Sequence, residues 1–428
     1  LSTGEKTYNG SINWSNWPAM TGRKLSGETI AEYAHSWGRK VGTISSVEWS
    51  HATPAGLGGA HNFSRNNYSA IANEMLNGGW IDVIMGAGNP EYSDDNVIRA
   101  TPEYKYVGGQ STWNALKSGT LGGWTLVQSK YEFDWLADAD NPPAKVVGTA
   151  QVATTLQQAR AGAAVKHGPF DAAYPMNKNV PDLATMSRAA LNVLAHNNPH
   201  GFLLHIEGGA IDWAGHANQP GRIIEEQVDF NKAVAAVVDW VETNSSWDKT
   251  LLIVTADHET GLVLGPNSAT KAFDPIVNNG KGVMPGIVFN SNSHSNQLVP
   301  VYMRGPGTAI AQNLAMHEDP VRGAYIDNTQ IFTLMYNVMR PKYDDNYLAG
   351  GSIEFIGGWK MNRWMGMFWD GFYPWIYLPA ADGWTYVWED GCDGDTWLYS
   401  ESEGWFWSAE GWYPWCWSQK NQEWFVAE

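Results

Sequence analysis

A chain of 428 residues with 43% hydrophobic content is long enough for one large α/β domain plus a smaller module, each able to bury a core. Its 27 basic against 44 acidic residues, a formal charge of −17, leave no basic footprint for nucleic acid or an anionic membrane surface and suit a protein that collects divalent cations. Only Cys392 and Cys416 occur, which excludes a disulfide framework and a thiolate zinc site while leaving one bridge between them open, and no apolar run approaches the roughly 18 residues of a membrane span.

In chain order, residues 30 to 340 alternate helix and strand patterns. Thr29 to Gly38 reads as a helix and Val41 to Val47 as the strand after it, with a second strand at Ile81 to Gly86. Leu183, Met186, Ala190, Val193 and Leu194 fall near helical spacing behind Asp182, a good N-cap residue. Gly201 to Ile206 is the next strand. Phe230, Val234, Val237 and Val241 then predict an amphipathic helix leading into a strand at Thr250 to Thr255, and another apolar segment spans Val299 to Met303. This alternation implies a three-layer α/β sandwich with a central, mainly parallel sheet.

The chemistry-bearing residues lie just past the carboxyl ends of these strands, where open α/β sheets bind ligands. Glu207 closes one strand, and Asp212 and His216, four apart, project from one face of the helix that follows. Asp257 and His258 end the strand at Leu251 to Thr255, His294 follows in a Ser/Asn-rich loop, and Ser50-His51-Ala52-Thr53 follows the first strand. Carboxylates and imidazoles without cysteine suit catalytic zinc, whereas Glu207 with the Thr53 hydroxyl offers oxygens better matched to magnesium. Singly, each has an ordinary structural explanation as a cap, turn residue or surface charge, Arg65 included. Together they outline a two-metal hydrolase.

The C-terminal segment has a different composition. Of the 24 tryptophans, 13 lie between Trp359 and Trp424, and Lys420 is the sole basic residue after Arg363. Phe368-Trp369 with Tyr373-Pro374-Trp375-Ile376-Tyr377 recurs as Phe406-Trp407 with Tyr413-Pro414-Trp415-Cys416-Trp417. Aromatics at alternate positions predict short strands with turns at Gly383, Gly394 and Gly404, an all-β module of aromatic hairpin repeats at 359–428 after a linker at 341–358. Its rings either build a small core or present a binding surface. The segment distantly resembles the Gly-Trp-rich tails of secreted bacterial surface enzymes and the hairpin repeats that bind cell-wall choline or glucan.

Four segments carry a more specific resemblance. Ser2 to Gly10, His51-Ala52-Thr53-Pro54-Ala55-Gly56, Glu207-Gly208-Gly209-Ala210-Ile211-Asp212 with His216, and Thr255-Ala256-Asp257-His258-Glu259 resemble the alkaline phosphatases in sequence and order, over Leu1 to about Arg340. The resemblance implies a domain at 1–340 with two Zn2+ and one Mg2+. Asp212, His216 and His294 would hold one zinc, Asp257 and His258 a second, and Thr53 and Glu207 the magnesium. Arg65 corresponds to the family's substrate-clamping arginine, a planar fork for two phosphoryl oxygens. His51 and Trp213 fall beside magnesium, where they would adjust metal affinity and turnover, as in the branch with His and Trp in place of Asp and Lys. The implied reaction is hydrolysis of small phosphate monoesters through transfer to an enzyme serine and then to water, with broad leaving-group tolerance. Further expectations are a homodimer, a periplasmic or extracellular bacterial location, and cell-surface or polysaccharide contact through 359–428.

The chain departs from the family at one place. The nucleophilic serine and the aspartate bridging the metals lie upstream of the family segment that here begins at Ser2, and no later serine has the expected small-residue neighbours. The expectation is an N-terminally truncated copy, inactive alone, with unpaired sheet edges. The alternatives are a phosphodiesterase or sulfatase of the same superfamily, or a non-catalytic surface-binding protein.

Overall fold

The computed structural model describes residues 1–14, 28–162, 166–339, 353–355, 357–362, 365–372, 374–379, 383–388, 395–409 and 412–427. They form two compact units, Ser2–Pro306 and Gly307–Glu428.

In the first unit, β1 (Lys40–Glu48), β2 (Val83–Ala87), β3 (Thr125–Val127), β4 (Val146–Thr149) and β5 (Phe202–Glu207) make a parallel sheet in the order β3-β4-β2-β1-β5. Its helices are α1 (Ile30–Ser36), α2 (Ala52–Leu57), α3 (Tyr68–Asn77), α4 (Gln110–Lys117), α5 (Lys130–Asp138), α6 (Leu183–Ala195), α7 (Ala210–His216) and α8 (Pro220–Asn244). Asp182 caps α6 as its residue type predicts, accepting the Thr185 N–H at 2.8 Å. Met186, Ala190 and Leu194 of α6 and Phe133 of α5 pack on Ile44, Val83, Met85 and Val146 of the sheet. Contact is close enough that a Cβ at Gly42 would meet Leu194 Cδ1 at 2.8 Å.

The strand predicted at Thr250 to Thr255 forms as β6 (Leu252–Val254) but does not join this sheet. The sequence continues through β7 (Glu259–Thr260), β8 (Val263–Leu264), β9 (Val288–Phe289), β10 (His294–Ser295) and β11 (Tyr302–Arg304), which pair antiparallel as β6-β11, β7-β10 and β8-β9. Strands β2 and β4 are buried throughout, whereas every residue of the edge strand β5 is half-buried. Phe202, Leu204 and Ile206 of β5 and Leu252 of β6 pack on the same cluster of Leu191, Val237 and Val241. One helix layer thus runs beneath both strands while no ladder joins them, so β5 presents an open edge.

The second unit opens with α9 (Thr308–Leu314), a hairpin of β12 (His317–Asp319) and β13 (Gly323–Tyr325), and α10 (Thr329–Met339). A nine-stranded antiparallel meander follows: β14 (Ile353–Glu354), β15 (Trp359–Asn362), β16 (Gly366–Phe372), β17 (Trp375–Leu378), β18 (Gly383–Val387), β19 (Asp395–Ser400), β20 (Gly404–Ala409), β21 (Trp415–Ser418) and β22 (Glu423–Val426). Asn337 of α10 donates to the Glu354 carbonyl and accepts its N–H, which fastens the helix to the first strand and starts this unit ahead of the composition change at 340. Of the segment read as a linker, 341–352 and 356 lie outside the described residues, as do Gly394 and Cys392. Gly383 and Gly404 head their strands, and Cys416 is a free, buried thiol.

Alternation along these strands sorts side chains by type. Phe368, Ile376, Leu378, Val387, Leu398, Phe406 and Cys416 are sealed on one face, with Thr385, Thr396, Ser400, Ser408 and Ser418 among them. The two copies of the repeat are equivalent there, Phe368 matching Phe406 and Ile376 matching Cys416. Trp and Tyr take the other face in cross-strand register: Trp359–Trp369–Tyr377–Trp384, Trp375–Tyr386–Tyr399–Trp405 and Trp397–Trp407–Trp417–Trp424. No described helix is long and apolar enough to cross a membrane.

Candidate metal centre

Three elements bring the predicted ligands together. Asp212 and His216 stand one turn apart on α7, and the β7-β10 ladder sets His294 opposite Thr260, two residues after His258. Gly215 lets α7 approach this ladder, since a Cβ there would meet the Thr260 carbonyl at 3.0 Å.

His216 Nε2 lies 3.1 Å from His294 Nε2, and Asp212 Oδ1 lies 3.4 Å from each. His216 Nδ1 is 2.8 Å from the Asn292 carbonyl, which can only accept, so the neutral ring carries its proton there and turns a bare Nε2 inward. The bare His216 Nε2, a second imidazole nitrogen and a carboxylate oxygen converging at this range offer a cation three donors. Zinc bonds of about 2.0–2.1 Å in tetrahedral geometry separate ligand atoms by about 3.3–3.4 Å, close to the spacing seen. The donor set therefore fits a zinc ion.

The second predicted pair adjoins the first. His258 stacks on His294 with centroids 3.5 Å apart, and its Nε2 lies 3.1 Å from Asp257 Oδ2. Asp212, His258 and His294 each offer one ligand atom, all within 4.8 Å of one another. The Thr260 hydroxyl donates to Asp212 Oδ1 at 2.5 Å and lies 3.2 Å from His258 Nδ1, linking the two pairs. The hydrogen bond with Asp257 raises the His258 pKa, while burial and then His258 itself lower that of His294. At Asp257 burial pulls upward, but the bonds with His258 prevail and the pKa falls.

Glu207 is half-buried at the end of β5, where the Ser45 hydroxyl donates to its carboxylate and the Thr53 hydroxyl lies close enough to lower its pKa. Burial pushes its pKa up to about 7, against those hydrogen bonds and with help from Asp257 and Asp212. A half-buried carboxyl flanked by hydroxyls and within reach of two further carboxylates is a fit for a hard, oxygen-seeking cation. Gly209 permits the tight turn after it, since a Cβ there would lie 2.9 Å from Glu207 Oε2.

Arg65 Nη2 is 3.2 Å from His51 Nε2, so the arginine donates and the imidazole accepts as a neutral ring. Burial, then Arg65, lower the His51 pKa to about 4. Trp213 meets His51 edge-on at 5.6 Å, and the Arg65 N–H bonds the Gly10 carbonyl at 2.7 Å, tying the Ser2–Gly10 segment to this cluster. The sequence reading missed Ser45, Thr260 and Asn292. Thr260 is marked by its nearness to His258, but Ser45 is one of several polar residues in β1 and a backbone carbonyl such as that of Asn292 leaves no sequence signal.

Comparison with known proteins bears on this arrangement. The family model described as alkaline phosphatase matches residues 1–332. Alkaline phosphatase 3 of Bacillus subtilis (strain 168) is 30% identical over 268 residues, 61% of this chain and 47% of that protein. Alkaline phosphatase of Escherichia coli (strain K12) is 26% identical over 346 residues, 74% of this chain and 70% of that protein. The chain spans about half the length of the Bacillus relatives. Among solved structures, the cold-active alkaline phosphatase of a Shewanella species shares the fold with a TM-score of 0.55 at 24% identity, covering 80% of this chain and 84% of that one. The alkaline phosphatase of the Antarctic bacterium TAB5 gives 0.54 at 22%, covering 80% and 82%.

Proposed function

The chain belongs to the alkaline phosphatase family, and from that premise we propose that it is the metal- and phosphate-binding part of a secreted phosphomonoesterase with two zinc ions and one magnesium ion. The observation that carries the reading is the convergence of His216 Nε2, His294 Nε2 and Asp212 Oδ1 at 3.1–3.4 Å, with His258 stacked beside them. Asp212, His216 and His294 would hold one zinc, Asp257 and His258 the second, and Glu207 with Thr53 the magnesium. Bound there, the ions supply positive charge to a phosphoryl group and its leaving oxygen.

The chain's own residues do the remaining work. Arg65 presents its guanidinium to two phosphoryl oxygens while His51, neutral and accepting, steadies the fork from behind. Ser45 and Thr53 orient Glu207, which gives up its proton to act as a ligand. Thr260 fixes Asp212 and the Asn292 carbonyl fixes the His216 tautomer. The nucleophilic serine is read as belonging to a further strand of the parent protein, a reading supported by the open edge of β5 between two strands that share one helix layer. The 428 residues alone would then bind metal and phosphate without turnover. Small phosphate monoesters are the proposed substrates, a homodimer the proposed assembly, and the periplasm or cell exterior the proposed location, with residues 359–428 making contact with a cell surface or polysaccharide.

The test is turnover of nitrophenyl phosphate, bis-nitrophenyl phosphate and nitrophenyl sulfate by the complete gene product. Preference for the monoester supports the proposal, and preference for the diester or sulfate replaces it with another activity of the superfamily.

A further inference from the structure

The second unit inverts the usual placement of aromatic residues. Its interior takes aliphatic, hydroxyl and thiol side chains with Phe368 and Phe406, while Trp375, Trp384, Trp388, Trp415 and Trp424 keep between 41% and 52% of their surface exposed. Rings that only filled a core would be turned inward, so this outer face is a surface held open to solvent. The rings are also fixed in place. Tyr377 and Trp384 meet at 83° with centroids 5.7 Å apart, Tyr386 and Trp405 at 89° and 6.2 Å, and Trp407 and Trp424 at 74° and 6.2 Å. Such edge-to-face contacts hold the rings in fixed orientations, and aromatic side chains lose little entropy when a ligand settles on them.

Charge and periodicity narrow the occupant. After Arg363 the segment carries Lys420 as its sole cation among many carboxylates, which repels phosphate-bearing polymers and anionic headgroups. A quaternary ammonium ion needs several ring faces closed around one point. Here the rings lie in rows across the strands instead of closing around one point. The rows repeat at the inter-strand spacing of about 4.8 Å, and a repeating surface calls for a repeating ligand. The turn joining β21 to β22 exposes Gln419, Asn421 and Gln422, whose amides both donate to and accept from hydroxyl groups.

Resting on the surface-contact part of the function proposed above, we infer that the outer face of this sheet binds a neutral polysaccharide. The apolar faces of its pyranose rings stack on the Trp and Tyr rows, and its hydroxyls are met by the amide-bearing turn.

The experiment is affinity electrophoresis of the full chain in native gels containing hydroxyethyl cellulose, laminarin or amylopectin. The expected result is retarded migration in at least one gel. Trp384→Ala with Trp405→Ala should abolish the retardation, while Trp384→Tyr with Trp405→Tyr, which keeps a ring at each position, should retain part of it at an unchanged melting temperature. Three outcomes overturn the inference: normal migration in all three gels, equal retardation of the alanine and tyrosine variants, or retardation released by choline chloride. Light scattering that shows a dimer dissolved by the tyrosine-sparing alanine pair, with no glycan retardation, would reassign the face to a second copy of the chain. Nitrophenyl phosphate turnover by the complete gene product is measured separately, so loss of glycan binding and loss of the phosphatase reading are distinguishable.

Discussion

If the lone pairs of Asp212, His216 and His294 face a zinc site, zinc must stabilise the folded chain by an amount that can be worked out in advance. A ligand that binds only the native state at a hundred times its Kd adds about 2.7 kcal/mol. Unfolding entropy near 60 °C is about 2.1 cal/mol/K per residue, or about 0.64 kcal/mol/K for a unit the size of Ser2–Pro306. The melting temperature of that unit should therefore rise by about 4 °C at a hundred-fold zinc excess over Kd, and fall back on addition of a chelator. Differential scanning calorimetry measures the shift, and titration calorimetry fixes the Kd that sets the excess. His294→Ala removes one of the three converging ligands and should abolish most of the rise, whereas His196→Ala, at the C-terminal cap of α6, should leave it intact. A His294→Ala chain that gains the full 4 °C, or a wild-type chain indifferent to zinc, would refute the reasoning.

Four other outcomes can be checked. Glu225→Ala strands the guanidinium of Arg160, paired with it at 2.9 Å with both side chains sealed, and frees the Phe170 N–H; a loss of about 3–5 kcal/mol in urea unfolding is expected. Burial, then Asp229, raise the Glu226 pKa to about 8, so the native state holds a proton that the unfolded chain releases near 4.5, and stability falls as pH rises between those values. Glu226→Gln should thus match wild type in melts at pH 5 and exceed it at pH 9. Gly215→Ala places a methyl 3.0 Å from the Thr260 carbonyl and should weaken zinc binding at least tenfold by titration calorimetry without unfolding the chain. Hydrogen exchange should label the peptide spanning β5 well before that spanning β1; equal protection would show that the β5 edge is covered.

Much of this architecture was legible because local periodicity and strand-end chemistry act within a few residues. Asp212 and His216 needed only helical spacing, and Asp182 needed only its side chain, to be read as site and cap. What stayed hidden depends on register between distant segments. His294, named through the family resemblance and not from spacing, reaches the centre because it pairs with Thr260 across an intervening loop, and Ser45, which was missed, meets Glu207 because β1 and β5 align at that step. Neither register is written in any short window. The failure of β6 to enter the parallel sheet was likewise invisible, since its apolar run reads the same in either setting. In the aromatic module, alternation predicted two faces but not which would be buried. The rings could equally have built a core or a surface, and the buried positions went to smaller Thr, Ser, Cys and aliphatic side chains, with Phe368 and Phe406 as the rings sealed among them.

That arrangement also decides how the protein looks to a spectroscopist. Indoles already wetted in the native state emit much as they do in denaturant, whereas Trp49, Trp113 and Trp124 are shut away from water until their unit opens. An emission melt will consequently report the opening of Ser2–Pro306 more strongly, per indole, through these three residues than it reports loss of the meander through Trp375, Trp384, Trp388, Trp415 and Trp424.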